Sequence, residues 1–176
     1  RDLARRQTEI AAAINQFLGD DLIGRSNPFL SGAAGESLID AIKQSVPAIE
    51  RKFQQEPLVA ARLHHTIARA LDNRTDYPTA RAEYDRAAAL YRRAEGDQST
   101  GAATVQLQRA TLEARSYEKG SLDLAKSLVA QQEKQIAALP NHDRELDVWL
   151  ASARGMVALI DNQARPAVDE FERALT

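Results

Sequence analysis

The sequence contains no cysteine. That excludes a thiolate nucleophile, a disulfide framework and a zinc site built on cysteine, and it leaves the redox compartment open. Aromatic residues make up only 5%, with a single tryptophan, and the 8 glycines and 6 prolines fall mostly between periodic segments. A chain so poor in turn formers, and dominated by Ala, Leu, Arg, Glu and Gln, favours helix. No apolar run approaches the ~20 residues of a membrane span. Neither sign of charge prevails: 23 basic against 25 acidic side chains give a formal net charge of -2. A nucleic-acid surface needs a basic excess on one face, so no direct nucleic-acid contact is expected. Catalytic signatures are also missing. His64, His65 and His142 lie in no GxSxG or HExxH setting, and there is no GxGxxG or Walker phosphate loop. The chain is therefore not expected to be an enzyme, nor to carry a cofactor. No metal is expected either: neighbours such as His64 and His65 point about 100° apart on a helix and cannot chelate one ion together.

What is present is a long series of apolar residues at helical spacing, with 44% hydrophobic residues over 176, enough for a sizeable core. In the stretch 58–96, Leu63, Ile67, Ala70 and Leu71 mark one helix. The break DNRTDYP follows, and Pro78 stands at the start of the next helix, where its missing N–H is no loss. That helix carries Ala80, Tyr84, Ala87, Leu90 and Tyr91. Small Ala68, Ala80 and Ala87 let the two helices approach, and Tyr84 and Leu71 fill the space between them. The unit recurs 45 residues on, where Leu112, Ala125 and Val129 answer Ile67, Ala80 and Tyr84, but Glu113 replaces Ala68 and Gln132 replaces Ala87. It recurs again 42 residues later as Gly155, Ala167, Phe171 and Ala174.

A small residue, then Ala, an aromatic and Ala, at steps of 12, 4 and 3, is similar to the tetratricopeptide repeat. The usual period is ~34 residues; the longer one here resembles the long-helix variant of kinesin light chains and many bacterial regulators. The resemblance covers about residues 57–176. It implies an all-α fold, a right-handed α-solenoid of antiparallel helix pairs at about 57–97, 98–140 and 141–176. Residues 1–56 are not a repeat and are expected to form an N-terminal helical cap. There, residues 2–18 form an amphipathic helix with Leu3, Ile10, Ile14, Phe17 and Leu18 on one side, stopped by Gly19. Residues 21–35 are a loop. Leu38, Ile42, Val46, Ile49 and Phe53 then continue straight through Pro47, which suggests a kinked helix or two helices meeting there.

The string from FLGDDL through NPF to LIDAIKQSVPAIERKFQQEPLVAARLHHTIARAL resembles a segment that follows the membrane span in two bacterial protein types. One is the membrane-anchored winged-helix transcriptional regulator of the ToxR and CadC kind; the other is the membrane-anchored Ser/Thr kinase with similar repeats. Neither a winged helix nor a kinase signature is present in the chain. The resemblance implies a signal-sensing or protein-binding domain in the periplasm, the extracytoplasmic part of an inner-membrane protein; a cytoplasmic scaffold is the alternative. The chain begins at Arg1 rather than Met and reads as a piece of a longer protein. A homodimer is compatible with it.

For binding, Arg62, His65, Arg69 and Asn73 share one face of the first helix of the first pair, at steps of 3, 4 and 4. In the tetratricopeptide family that face lines the concave groove, where a basic and amide row receives a peptide carboxylate or acidic side chain. Arg offers a planar donor fork suited to such a group, although a solvated polar face is the plainer reading of any such row. The matching face of the second pair is expected to hold Ala110, Ala114 and Tyr117, and that of the third Trp149, Ser152 and Met156. The candidate groove is thus Arg62, His65, Arg69, Asn73 and Tyr117, with a protein or peptide as partner. Trp149 reads as packing, and His64 as a half-buried packing residue.

Overall fold

The structure, a computed structural model, describes residues 2–17, 38–139 and 143–175, and it is all-helical there. Eight helices are described: α1 (Asp2–Phe17), α2 (Leu38–Lys52), α3 (Pro57–Asp72), α4 (Tyr77–Glu95), α5 (Thr100–Ser116), α6 (Ser121–Ala137), α7 (Arg144–Ile160) and α8 (Ala164–Leu175). The expected stop at Gly19, the loop at 21–35 and His142 lie outside the described residues.

Local chemistry sets the helix ends. Pro57 opens α3 and Pro78 lies in the first turn of α4. Asp76 caps α4 by accepting from Thr79 N–H at 3.5 Å and from the Thr79 hydroxyl at 2.9 Å, Ser99 caps α5 by accepting from Ala102 N–H at 3.0 Å, and Asp143 caps α7 through Glu145 N–H at 3.3 Å. The α3–α4 and α7–α8 turns use one device. Asp76 N–H reaches back to Leu71 C=O (3.0 Å) and Thr75 N–H to Asp72 C=O (2.9 Å). Gln163 N–H bonds Ala158 C=O (2.8 Å) and Asn162 N–H bonds Leu159 C=O (3.2 Å). Both are Schellman closures, with Thr75 and Asn162 at φ 61° and 59° in the position glycine usually fills. α2 runs unbroken through Pro47, resolving the choice left by the sequence. Pro47 is exposed, so its ring lies on the solvent side of the helix.

The closest packing is between consecutive helices: α3 with α4, α5 with α6 and α7 with α8. α5 also packs on α4 and on α7, while α1 and α2 lie against α3. The core has two parts. Phe17, Ile42 and Ile49 from the first two helices meet Leu63, Ile67 and Leu71 of α3, Tyr84 of α4, and Val105 and Leu112 of α5. Leu107 and Ala110 of α5 join Val129 and Ile136 of α6 and Leu146, Leu150 and Ala153 of α7. α5 therefore feeds both parts from opposite sides. The small residues act at contact points: Ala68, Ala80 and Ala87 are fully buried, and a Cβ on Gly155 would lie 2.7 Å from the Phe171 ring. Any side chain there would force the Phe171 ring out of its place against α7.

Two polar locks cross the helices. His64 Nδ1 lies 2.6 Å from Glu83 Oε2, both side chains being buried, and Glu83 also pairs with Arg86. His64 is thus buried more deeply than the half-buried position expected for it. Glu113, the residue that breaks the repeat pattern, accepts a fork from Arg81, with Nε and Nη2 each donating at 2.9 Å. Burying a carboxylate at a helix contact is tolerated only with such a partner.

Candidate functional site

Two clefts open along the side of the molecule where α3, α5 and α7 come together. The first, of about 180 Å³, is walled by Arg69, Asp72 and Asn73 of α3, Tyr84 of α4, Gln108, Thr111 and Arg115 of α5, and Trp149 of α7. The second, of about 370 Å³, is walled by Arg62 and His65 of α3, Tyr91 and Glu95 of α4, Thr100 and Thr104 of α5, and Asp143 and Glu145 at the start of α7. The helical repeat explains the sorting. Arg62, His65, Arg69 and Asn73 lie on one α3 face, and the chain of walls passes from one cleft to the other along that face.

α3 and α5 touch here through long polar side chains. His65 Nε2 and Gln108 Oε1 are 2.7 Å apart, a bridge between the walls of the two clefts. The imidazole also lies 6.2 Å from the Tyr84 ring and 6.4 Å from the Tyr91 ring. Burial holds His65 below the usual histidine range, the Gln108 bond opposing and the Arg69 charge adding to the effect. The neutral imidazole is therefore the resting form at neutral pH, and Nε2–H donates to the Gln108 carbonyl oxygen. Burial pushes the ionisation of the Tyr91 hydroxyl up, with the neighbouring Arg62 charge opposing.

Deeper in the first cleft, Arg115 Nη2 donates to both oxygens of Asp72, at 2.8 and 2.9 Å. The Tyr84 hydroxyl donates to the same carboxylate at 3.4 Å. Burial raises the Asp72 carboxyl above its usual range, against the pull of Arg115 and of Tyr84. Arg69 is exposed at the rim and forms no ion pair among the described residues. Trp149 stands opposite, half-buried, its indole N–H donating to Glu145 at 3.4 Å. The cleft thus offers one unengaged guanidinium, two amides, a hydroxyl and an indole face. Such a set can hold an anionic group and pack a neighbouring side chain; among the described residues no cluster of three potential ligands could hold a metal.

Arg62 and His65 wall the second cleft, Arg69 and Asn73 the first. Tyr117 walls neither: it follows the last residue of α5 at φ 55° and is 79% exposed. Ala110 and Ala114 are buried in the core rather than set in the groove. The α5 face that meets the clefts is instead Thr104, Gln108, Thr111 and Arg115, at helical steps of 4, 3 and 4. That row is as visible in the sequence as the α3 row, and it is polar where the expected one was small and apolar. Asp72 begins the polar break DNRTDYP, a turn signal that masks its place on the cleft wall. Trp149 combines packing with a place on the cleft wall, while Ser152 and Met156 are half-buried and wall neither cleft.

No protein-family model matches the sequence, and no curated protein or solved structure is detectably similar to it. No described helix is long and apolar enough to cross a membrane.

Proposed function

We propose that the chain is a peptide-binding module rather than an enzyme: a tetratricopeptide-like solenoid whose inner face takes an extended segment of a partner protein through an acidic or carboxylate-bearing residue. The carrying observation is Arg69, exposed at the mouth of a walled cleft, without an ion pair among the described residues, and faced by Asn73, Gln108, Thr111 and Trp149. An arginine held near amide donors and an indole suits a carboxylate followed by an apolar side chain. The pairing of α3 with α4, α5 with α6 and α7 with α8 supports the solenoid reading, as does the contact of α5 with α7. The boundaries 1–56 for the cap and 57–176 for the pairs go with it. The resemblance at residues 16–71 supports an extracytoplasmic sensor domain, read first as that of a membrane-anchored transcriptional regulator, with the equivalent part of a Ser/Thr kinase or a cytoplasmic scaffold as the alternatives.

Trp149 is the only tryptophan and reports on the cleft directly. Acidic peptides, each made with a free and an amidated C-terminus, are titrated while its fluorescence is followed. Arg69→Glu is expected to weaken the best binder by about tenfold or more, since it removes a charge-assisted bond and adds repulsion. Arg93→Glu, on an exposed part of α4, should change little, and added salt should weaken the wild type. Equal, negligible effects of both reversals would move the partner surface elsewhere. For the parent protein, alkaline phosphatase fused after Thr176 in the full-length chain should be active; an inactive fusion refutes the extracytoplasmic placement.

A further inference from the structure

We infer that Asp72 sets the charge class of the ligand in the first cleft, making it a site for a single carboxylate and against a phosphate dianion. The inference rests on the binding reading above and adds to it the identity of the anion.

The cleft contains two guanidiniums, but they are not equivalent. Arg115 is already engaged: its Nη2 bonds both oxygens of Asp72 at 2.8 and 2.9 Å. Its Nε is enclosed and has no acceptor among the described residues. Asp72 is itself buried and receives a further bond from Tyr84. The Arg115–Asp72 pair is therefore a built-in complex between a guanidinium and a carboxylate, and only Arg69 is left to meet an incoming anion. The other groups on the wall, Asn73, Gln108, Thr111 and Trp149, carry no charge, and His65 beyond the Gln108 bridge rests neutral. Counted together, the cleft has one cation in excess.

One excess cation matches one carboxylate. A phosphate monoester carries a charge of about -1.5 to -2 at neutral pH, and its second charge would find Arg115 occupied and the Asp72 carboxylate close by. Rejection by a fixed like charge is the usual way a site separates two anions that share one recognition group. Asp72 is placed for that role because burial and two hydrogen-bond donors keep it from turning away.

The test uses two peptides with blocked ends, identical except that one bears a single Glu and the other phosphoserine at that position. Both are titrated into wild type, Asp72→Asn, Arg69→Gln and Asn73→Lys, with Trp149 fluorescence or calorimetry as readout. Wild type is expected to prefer the Glu peptide by about tenfold, and Asp72→Asn, which frees Arg115, is expected to bring the phosphopeptide level with it or ahead. Arg69→Gln should weaken both. If Asp72→Asn folds and leaves the preference unchanged while Arg69→Gln weakens both peptides, the inference is overturned and the binding reading stands. If neither peptide binds the wild type, both fail together. Should Asp72→Asn not fold, the exposed Asn73→Lys decides. It adds a cation at the rim without disturbing the buried pair, so the preference should shrink; an unchanged preference overturns the inference.

Discussion

Thr75 holds a backbone conformation that its side chain disfavours. At φ 61° it closes the α3–α4 turn, and a β-branched residue there is a steric outlier. Its hydroxyl only reaches the adjacent Arg74 carbonyl in an exposed turn. Thr75→Gly is therefore expected to stabilise the protein by about 1 kcal/mol, the gain from removing the Cβ clash outweighing glycine's entropy in the unfolded chain. A lower urea midpoint for this variant would mean that the hydroxyl matters more than the clash. Gln132 is a second misfit. It occupies the place that Ala87 has in the first pair, is 1% exposed, and neither amide atom finds a partner among the described residues. Gln132→Met keeps the length and removes the unmet polar groups, so thermal unfolding should move upward, by about 1 kcal/mol. A loss of stability would show that an enclosed water satisfies the amide. These residues also mark the limit of reading a sequence. That Gln132 and Glu113 depart from the repeat was visible; that Glu113 is rescued by Arg81, and His64 by Glu83, was not, because partners 32 and 19 residues apart meet only through the helix pairing.

At the scale of the element, helix existence was legible and helix orientation only partly so. The stripes of α3 and α4 face one way, and the sequence placed their apolar residues correctly because each has a solvent side. α5 has ten buried residues distributed around it, Val105 and Leu112 toward α3 and α4, Leu107 and Ala110 toward α6 and α7. A helix apolar on two sides gives no single stripe. This is why Ala110 and Ala114 could be mistaken for groove residues while Gln108 and Arg115 were overlooked. The α3–α4 contact itself rests on the smallness of Ala80, which is fully buried. Ala80→Leu would force side chains off their rotamers and should destabilise by roughly 1–3 kcal/mol. A melting temperature unchanged by it would place the contact between these helices elsewhere.

Over the whole molecule, stability should be graded along the chain, and native-state hydrogen exchange can measure the gradient. α5 is shared by both parts of the core, so its amides exchange only when the packing on both sides is lost. α8 has Ala167 as its one buried residue, with Val168 and Leu175 exposed on its surface, and α7 is its main packing partner among the described helices. An element held mainly by one neighbour can open without the rest, and arrays of stacked helix pairs lose cooperativity toward their ends. Amides in the middle of α5 are therefore expected to be the slowest, approaching the global unfolding free energy, and those of α8 the fastest among the helices from α3 onward. Leu112→Ala, which opens a cavity where α5 meets α3 and α4, should cost about 2–5 kcal/mol. It should also speed exchange in α3, α4 and α5 together, while exchange in α8, already governed by local opening, stays nearly as it was. If α8 slows and quickens in step with α5 across such variants, the molecule unfolds as one cooperative unit, and the view of it as a stack of semi-independent helix pairs fails.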